Sequence, residues 1–297
     1  MIKKVYGSDI AIGEASVSLR NLTKNYGEVK AVDDVSFDVL RGEIFGFLGP
    51  NGAGKTTTIR MITTATKPTS GTVLINGYDV RKDPVDAKKT IGVVNQYINI
   101  DMELTTAENL IVHGMLYGMN KKDIYLRVNE LLDFIEMSNK KNVAAGKISG
   151  GMQRKLMIAR ALLHKPEILF LDEPTIGLDA QSKRKIWDLL VKINSESKTI
   201  FLTTHYIEEA EELCNRVGII DEGRLIALDS PENLIKEVGK IALDIFTADN
   251  YSTDFFYSRE EALKAAEGIK ERKEKIIIRK TNLEDVFLKK TGKRVES

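Results

Sequence analysis

Residues 49–56 read Gly-Pro-Asn-Gly-Ala-Gly-Lys-Thr, the pattern G-x-x-x-x-G-K-[ST]. An apolar stretch, Ile44 to Leu48, precedes it, and Thr56-Thr57-Thr58-Ile59-Arg60-Met61-Ile62 follows as a helix start. Strand, glycine loop and helix in that order are the context in which the pattern carries chemistry. Glycines at 49, 52 and 54 let the backbone turn tightly and aim its N–H groups inward. Those groups and the helix N-terminus form a concave anion site. Lys55 adds a mobile positive charge for terminal phosphates, and Thr56 offers a hydroxyl to Mg²⁺.

The surrounding chain predicts an α/β fold. Residues 16–22 and 34–40 alternate apolar and polar, as half-buried antiparallel strands do. Thr72 to Ile75 ends at Asn76-Gly77, a hairpin signal. Residues 90–95 read as a buried strand with Gln96 at its end. From 97 to 149 the pattern turns helical, with one helix opening at Thr106 and another over Lys122 to Met137, predicting a helical insertion. Apolar strands at 168–171, 199–202 and 217–220 then alternate with helices at 150–163, 182–194 and 206–214, predicting a parallel sheet covered on both faces. A helix from Pro231 to Val238 closes a first domain, 1–239. After Gly239 the expected order is strand 241–246, polar linker 247–257, helix 259–269, strand 275–279 and helix 282–290 with a Thr281–Glu284 capping box. This makes 240–297 a small α/β extension.

Composition narrows the function. With 44 basic and 43 acidic residues the net charge is +1, which gives no general attraction to nucleic acid or anionic membranes. A single cysteine, Cys214, excludes an internal disulfide framework and suits a reducing compartment. The first ten residues lack the apolar run of a signal peptide. No stretch approaches the ~18 apolar residues of a membrane span. A role at a membrane would therefore run through a partner.

Two further segments carry chemistry. The strand Ile168 to Leu171 ends in Asp172-Glu173, at the sheet edge where open α/β folds bind ligands. Asp172 is placed to hold Mg²⁺ through its water shell, and Glu173 to orient or deprotonate a water. Ser149-Gly150-Gly151 opens a helix with a capping serine and two glycines, a second anion-binding helix start.

Together these segments resemble the nucleotide-binding subunit of an ABC transporter. Gly49 to Thr56 is similar to that family's Walker A loop, and Ile168 to Glu173 to its Walker B strand with the catalytic glutamate. Ser149-Gly150-Gly151 resembles the signature sequence. Gln96 resembles the Q-loop, Gly177-Leu178-Asp179 the D-loop, and His205 the switch histidine. Tyr26 resembles the aromatic that stacks on adenine. The likeness spans residues 16 to about 230. It departs at Met152, where the family often has glutamine, with Gln153 following.

The resemblance implies ATP and Mg²⁺ as cofactors. Nucleotide contacts are expected from Tyr26, Gly49, Pro50, Asn51, Gly52, Ala53, Gly54, Lys55, Thr56, Thr57, Gln96, Ser149, Gly150 and Gly151. Metal contacts are expected from Thr56, Gln96 and Asp172, and catalysis from Glu173, His205 and Lys55. It further implies a head-to-tail dimer in which Ser149 and Gly151 complete the site of the other copy. It implies a separate membrane permease on whose cytoplasmic face the subunit sits, and no nucleic-acid partner. The ending Thr281 to Leu288 is similar to the extension of drug-exporter subunits of the daunorubicin-resistance type, although that extension is usually longer. The competing expectation is a soluble ABC ATPase, for example in iron–sulfur assembly. One cassette per chain argues against the translation type, and a short insertion against the repair type. His113 and His164 read as packing or surface residues, and the acidic run 208–212 as a solvated helix start.

Overall fold

The computed structural model describes residues 14–246, 251–269 and 275–292. The described residues begin with two long strands, β1 (Ala15–Tyr26) and β2 (Val29–Leu40), paired antiparallel through a turn at Gly27. Their inward positions, among them Val17, Leu19, Leu22, Val35, Phe37 and Val39, are buried. Both strands run further toward the turn than their alternation suggests, so Asn25 and Tyr26 lie in β1 itself. Next come β3 (Ile44–Leu48) and α1 (Lys55–Ile62), with the glycine loop between them. The Asn76-Gly77 hairpin forms as expected between β4 (Ser70–Ile75) and β5 (Tyr78–Asp79), both turn residues having positive φ, 47° and 85°. A short helix absent from the sequence reading, α2 (Pro84–Lys89), leads into β6 (Ile91–Val94).

The insertion holds α3 (Thr106–Leu116) and α4 (Lys121–Phe134). Thr105 and Glu108 form a capping box for α3. In α4, Ile124, Val128, Leu131 and Leu132 fall on one face and bury it. A bridge between Thr105 and Ala144 pins the two ends of the insertion together. The chain continues with α5 (Gly150–Ala161), β7 (Ile168–Asp172), α6 (Ala180–Ser195), β8 (Thr199–Thr204), α7 (Ile207–Leu213) and β9 (Arg216–Asp221). An unforeseen strand, β10 (Arg224–Asp229), folds back on β9, and α8 (Pro231–Val238) follows.

Two sheets build the main body. A four-stranded antiparallel sheet has the order β2-β1-β4-β5. A six-stranded sheet has the order β10-β9-β3-β8-β7-β6, parallel except at its β10 edge. Every residue of β3, β7 and β8 is buried, as unbroken apolar runs in a two-sided sheet require. Phenylalanines fill the space between the sheets. Phe37 stacks on Phe45 with centroids 5.1 Å apart, and Phe201 meets Phe45, Phe47 and Phe170 at 5.4, 5.9 and 5.5 Å.

The C-terminal segment contributes β11 (Ile241–Phe246), β12 (Tyr251–Phe256), α9 (Arg259–Gly268), β13 (Lys275–Lys280) and α10 (Leu283–Thr291), with a separate antiparallel sheet β12-β11-β13. The expected polar linker is overturned by β12; residues 247–250 of it lie outside the described residues. The capping box is also corrected by one position. Asn282 and Asp285 form it, because the Thr281 hydroxyl donates to the Gly239 carbonyl instead (2.5 Å). Arg279 clips β13 to its neighbours, reaching Asp244 on β11 and Asp285 on α10, each at 2.7 Å. Leu283, Val286 and Phe287 of α10 join the same buried cluster as Leu234, Val238 and Cys214.

Candidate active site

Four elements end at one edge of the six-stranded sheet and bring the motif residues together. The loop after β3 starts with Gly49, where a Cβ would lie 2.3 Å from the Ile220 carbonyl oxygen. It ends with Gly54, at φ 106°, whose Cβ would meet the Ala31 carbonyl oxygen at 2.4 Å. Only glycine fits either place. Asn51 and Gly52 form the exposed tip, and Ala53 is buried with its N–H on the Pro50 carbonyl (3.2 Å). Lys55, the first residue of α1, is 4% exposed. Its Nζ donates to the Gly49 and Pro50 carbonyls at 2.7 and 2.9 Å and sits 3.4 Å from Glu173 Oε1. Burial pushes the Lys55 ammonium below the usual lysine range, and the charges of Glu173 and Asp172 oppose that shift. Thr57 is half-buried on the same helix.

The two carboxylates leave β7 in different directions. Asp172 accepts hydrogen bonds from the Thr203 hydroxyl (2.6 Å) and the Thr56 hydroxyl (3.3 Å). Burial raises its carboxyl, and those two donors partly offset the shift. Glu173 adopts φ 48°, a left-handed conformation that costs a non-glycine residue about 1 kcal/mol or more and gathers at functional sites. Its N–H is fixed by both the carbonyl (3.2 Å) and the hydroxyl (3.0 Å) of Thr203. One threonine thus holds the Asp172 carboxylate and the Glu173 backbone together, a role that no local sequence pattern announces.

Three motif side chains converge on the Glu173 carboxylate. Besides Lys55, Gln96 Nε2 donates to Oε2 at 3.2 Å, and His205 Nδ1 lies 3.3 Å from Oε1. The His205 contact is not a hydrogen bond, and Nδ1 is buried without a hydrogen-bond partner. Its ring rests on Tyr206, centroids 4.1 Å apart. Tyr26 is 49% exposed at the end of β1, with Lys24 Nζ 5.0 Å over its ring.

Ser149, Gly150 and Gly151 are not part of this convergence. Ser149 caps α5 by accepting from the Met152 N–H (3.3 Å), and it and Gly150 are exposed. Among the described residues none of the three bonds to the glycine loop. Gly151 packs closely on α6, where a Cβ would lie 2.9 Å from Ser182 Oγ. Met152, the departure from the family pattern, packs a half-buried side chain against the core. The buried Arg154 joins the second turn of α5 to the Gln96 segment, donating to the Asn95 and Gln96 carbonyls at 2.8 Å each. Glu209 on α7, expected within a solvated acidic run, is instead fully buried; it accepts from Thr175 Oγ1 (2.9 Å) and Trp187 Nε1 (3.0 Å), bracing the turn after Glu173. No local motif announces either residue; each is defined by partners tens of positions away. Half-buried His113 and His164 pack on Tyr117, at 4.9 and 3.9 Å between centroids.

The comparisons with known proteins agree with this geometry. Residues 32–176 match the profile of the ABC transporter family. Nod factor export ATP-binding protein I of Cupriavidus metallidurans is 40% identical over 299 residues, spanning 95% of this chain and 99% of that protein. This chain belongs to the ABC transporter ATP-binding family. The protein of the same name from Rhizobium johnstonii is 37% identical, over 96% of this chain and 98% of its own length. Among solved structures, a dimeric ABC cassette in a post-hydrolysis state bound to ADP and Pi is 31% identical, with a TM-score of 0.64 over 72% of this chain and 98% of that one. A Clostridium perfringens cassette, part of an ABC transporter complex, is 26% identical, with a TM-score of 0.69 over 76% and 95%. As an ABC cassette the chain binds ATP and is an ATPase, and its fold is that of the family.

Proposed function

We propose that the chain powers export through a separate membrane permease, working as a head-to-tail pair of cassettes. Export is supported by the names of its relatives, which favour transport over a soluble assembly role. The tail's likeness to drug-exporter subunits of the daunorubicin-resistance type supports the same direction. Among the described residues no helix is long and apolar enough to cross a membrane, so contact with the cytoplasmic face runs through the permease. The observation that carries the catalytic reading is the convergence of Lys55, Gln96 and His205 on the strained, buried Glu173.

ATP lies along Gly49 to Thr57, its adenine stacking on the exposed ring of Tyr26. Backbone N–H groups of the loop bind the phosphates, and Lys55 exchanges loop carbonyls for phosphate oxygens. Glu173 accepts the proton of the attacking water. Lys55 and His205 meet the charge that develops on the transferred phosphoryl group. No cluster of three His, Cys, Asp or Glu that could hold a metal exists among the described residues. A hydroxyl, a carboxylate and an amide oxygen from Thr56, Asp172 and Gln96 fit Mg²⁺, which takes few protein ligands and keeps waters and phosphates. When bound, Mg²⁺ neutralises phosphate charge. Ser149, Gly150 and Gly151 of one copy close on the γ-phosphate held by the other. The insertion at 97–149 then carries the closing motion to the permease.

Glu173→Gln tests this. Loss of a general base lowers turnover by about 10²–10⁴-fold while ATP affinity stays near the wild type and an ATP-bound dimer accumulates. Unchanged turnover by a phosphate-release assay defeats the assignment.

A further inference from the structure

A cleft of about 530 Å³ that shares no lining residue with the phosphate loop lies where α7 and α8 meet the C-terminal sheet. Its walls are Pro231, Ile235 and Ile241, and its rim carries Lys236, Lys240 and Lys280. The volume falls within the roughly 300–1,000 Å³ of small-molecule sites, which favour such junctions. The walls are held in place before any ligand arrives. Glu211 Oε1 accepts the Leu283 N–H at 2.7 Å, and the Thr281 hydroxyl is tied to the Gly239 carbonyl.

The charges around the cleft are unevenly matched. Glu232 is paired with Lys236 at 2.9 Å, and the Glu211 carboxylate is engaged by the start of α10. The ammonium groups of Lys240 and Lys280 have no carboxylate or hydrogen-bond partner among the described residues. Three ammonium groups against two carboxylates leave the rim net positive over an apolar wall, which suits a molecule with a negative head and an apolar body.

The cleft also touches the catalytic edge through one short helix. Glu211 belongs to α7, which begins two residues after His205. Two residues earlier on α7, Glu209 grips Thr175 and Trp187, so a shift of α7 moves both the histidine and the turn that follows Glu173.

We propose that this cleft is a regulatory binding site for a small amphipathic anion, an acyl or aryl carboxylate, whose occupancy is relayed to His205 through Glu211 and α7. The relay rests on the catalytic reading of His205; the binding does not. The probe is dodecanoate below its micellar concentration, titrated calorimetrically into the full chain without nucleotide. Saturable binding is expected, and Lys240→Gln/Lys280→Gln weakens it by about tenfold or more, as loss of charge-assisted contacts should. Acetate, which lacks the apolar body, and dodecyl maltoside, which lacks the charge, bind far more weakly. Absence of saturation, equal affinity of the double variant, or equal affinity of the maltoside overturns the site. For the relay, saturating dodecanoate changes ATP turnover of the wild type, while the double variant keeps its basal rate and loses the response. A wild-type rate indifferent to bound dodecanoate overturns the relay and leaves the binding result to be judged alone.

Discussion

Thr203 shows how much of the catalytic edge depends on single side chains with several partners. Its hydroxyl donates to Asp172 and accepts from the Glu173 N–H, so the Asp172 carboxylate and the Glu173 backbone are held to one point. Glu209 has a comparable place behind the site, and burial holds its carboxyl above the usual glutamate range, against the hydrogen bonds it accepts. The folded state therefore keeps this proton to higher pH than the unfolded chain. The resulting stabilisation is present below the ordinary glutamate value of 4.5 and is lost as pH rises through the raised one. Glu209→Gln keeps an oxygen acceptor for Thr175 and Trp187 and removes the titration. The urea midpoint of the variant should gain on that of the wild type as pH rises above 4.5; parallel midpoints across that range contradict the buried-proton account. The loop residues were legible in sequence because their chemistry is local. Thr203, Arg154 and Glu209 were not, because their partners lie about 20 to 60 positions away and only folding brings them together.

At the level of elements, long periodic segments were readable and short edge pieces were not. β3, β7 and β8 declare themselves as unbroken apolar runs. β10 and β12 are edge strands of mixed polarity whose pairing depends on a neighbour. In β12 the polar residues Tyr251 and Thr253 are there to hydrogen-bond Asp244 across the sheet, which gives the sequence the look of a linker. The last helix was found, but its cap moved one residue because Thr281 spends its hydroxyl on Gly239. Helix α10 also makes a testable tie to the cassette. Phe287 is 1% exposed within the large core cluster, so Phe287→Ala should destabilise the whole chain by about 3–5 kcal/mol. A cassette whose denaturation midpoint ignores that change would show α10 to be an independent appendage.

For the molecule as a whole, the separation of Ser149–Gly151 from the glycine loop has a clear experimental signature. In a head-to-tail pair, each site takes its loop from one copy and its serine from the other. Lys55→Ala and Ser149→Arg should each lose most turnover alone. Mixed, they form pairs in which one site carries both lesions and the other carries none, so activity returns in part. If the mixture stays as inactive as its components, the shared-site arrangement is refuted.

The layer of phenylalanines between the two large sheets has a consequence for motion. Rings of Phe37, Phe45, Phe47, Phe170 and Phe201 interlock directly beneath the strands that carry the loop and the carboxylates. Interlocked aromatic packing resists gradual deformation. The nucleotide cycle must therefore be accommodated by the segments resting on this slab, and the slab itself opens only when the protein does. In deuterated solvent, the amides of β3, β7 and β8 should be the last to exchange, at a pace set by global unfolding, and turnover of ATP should not make them exchange faster.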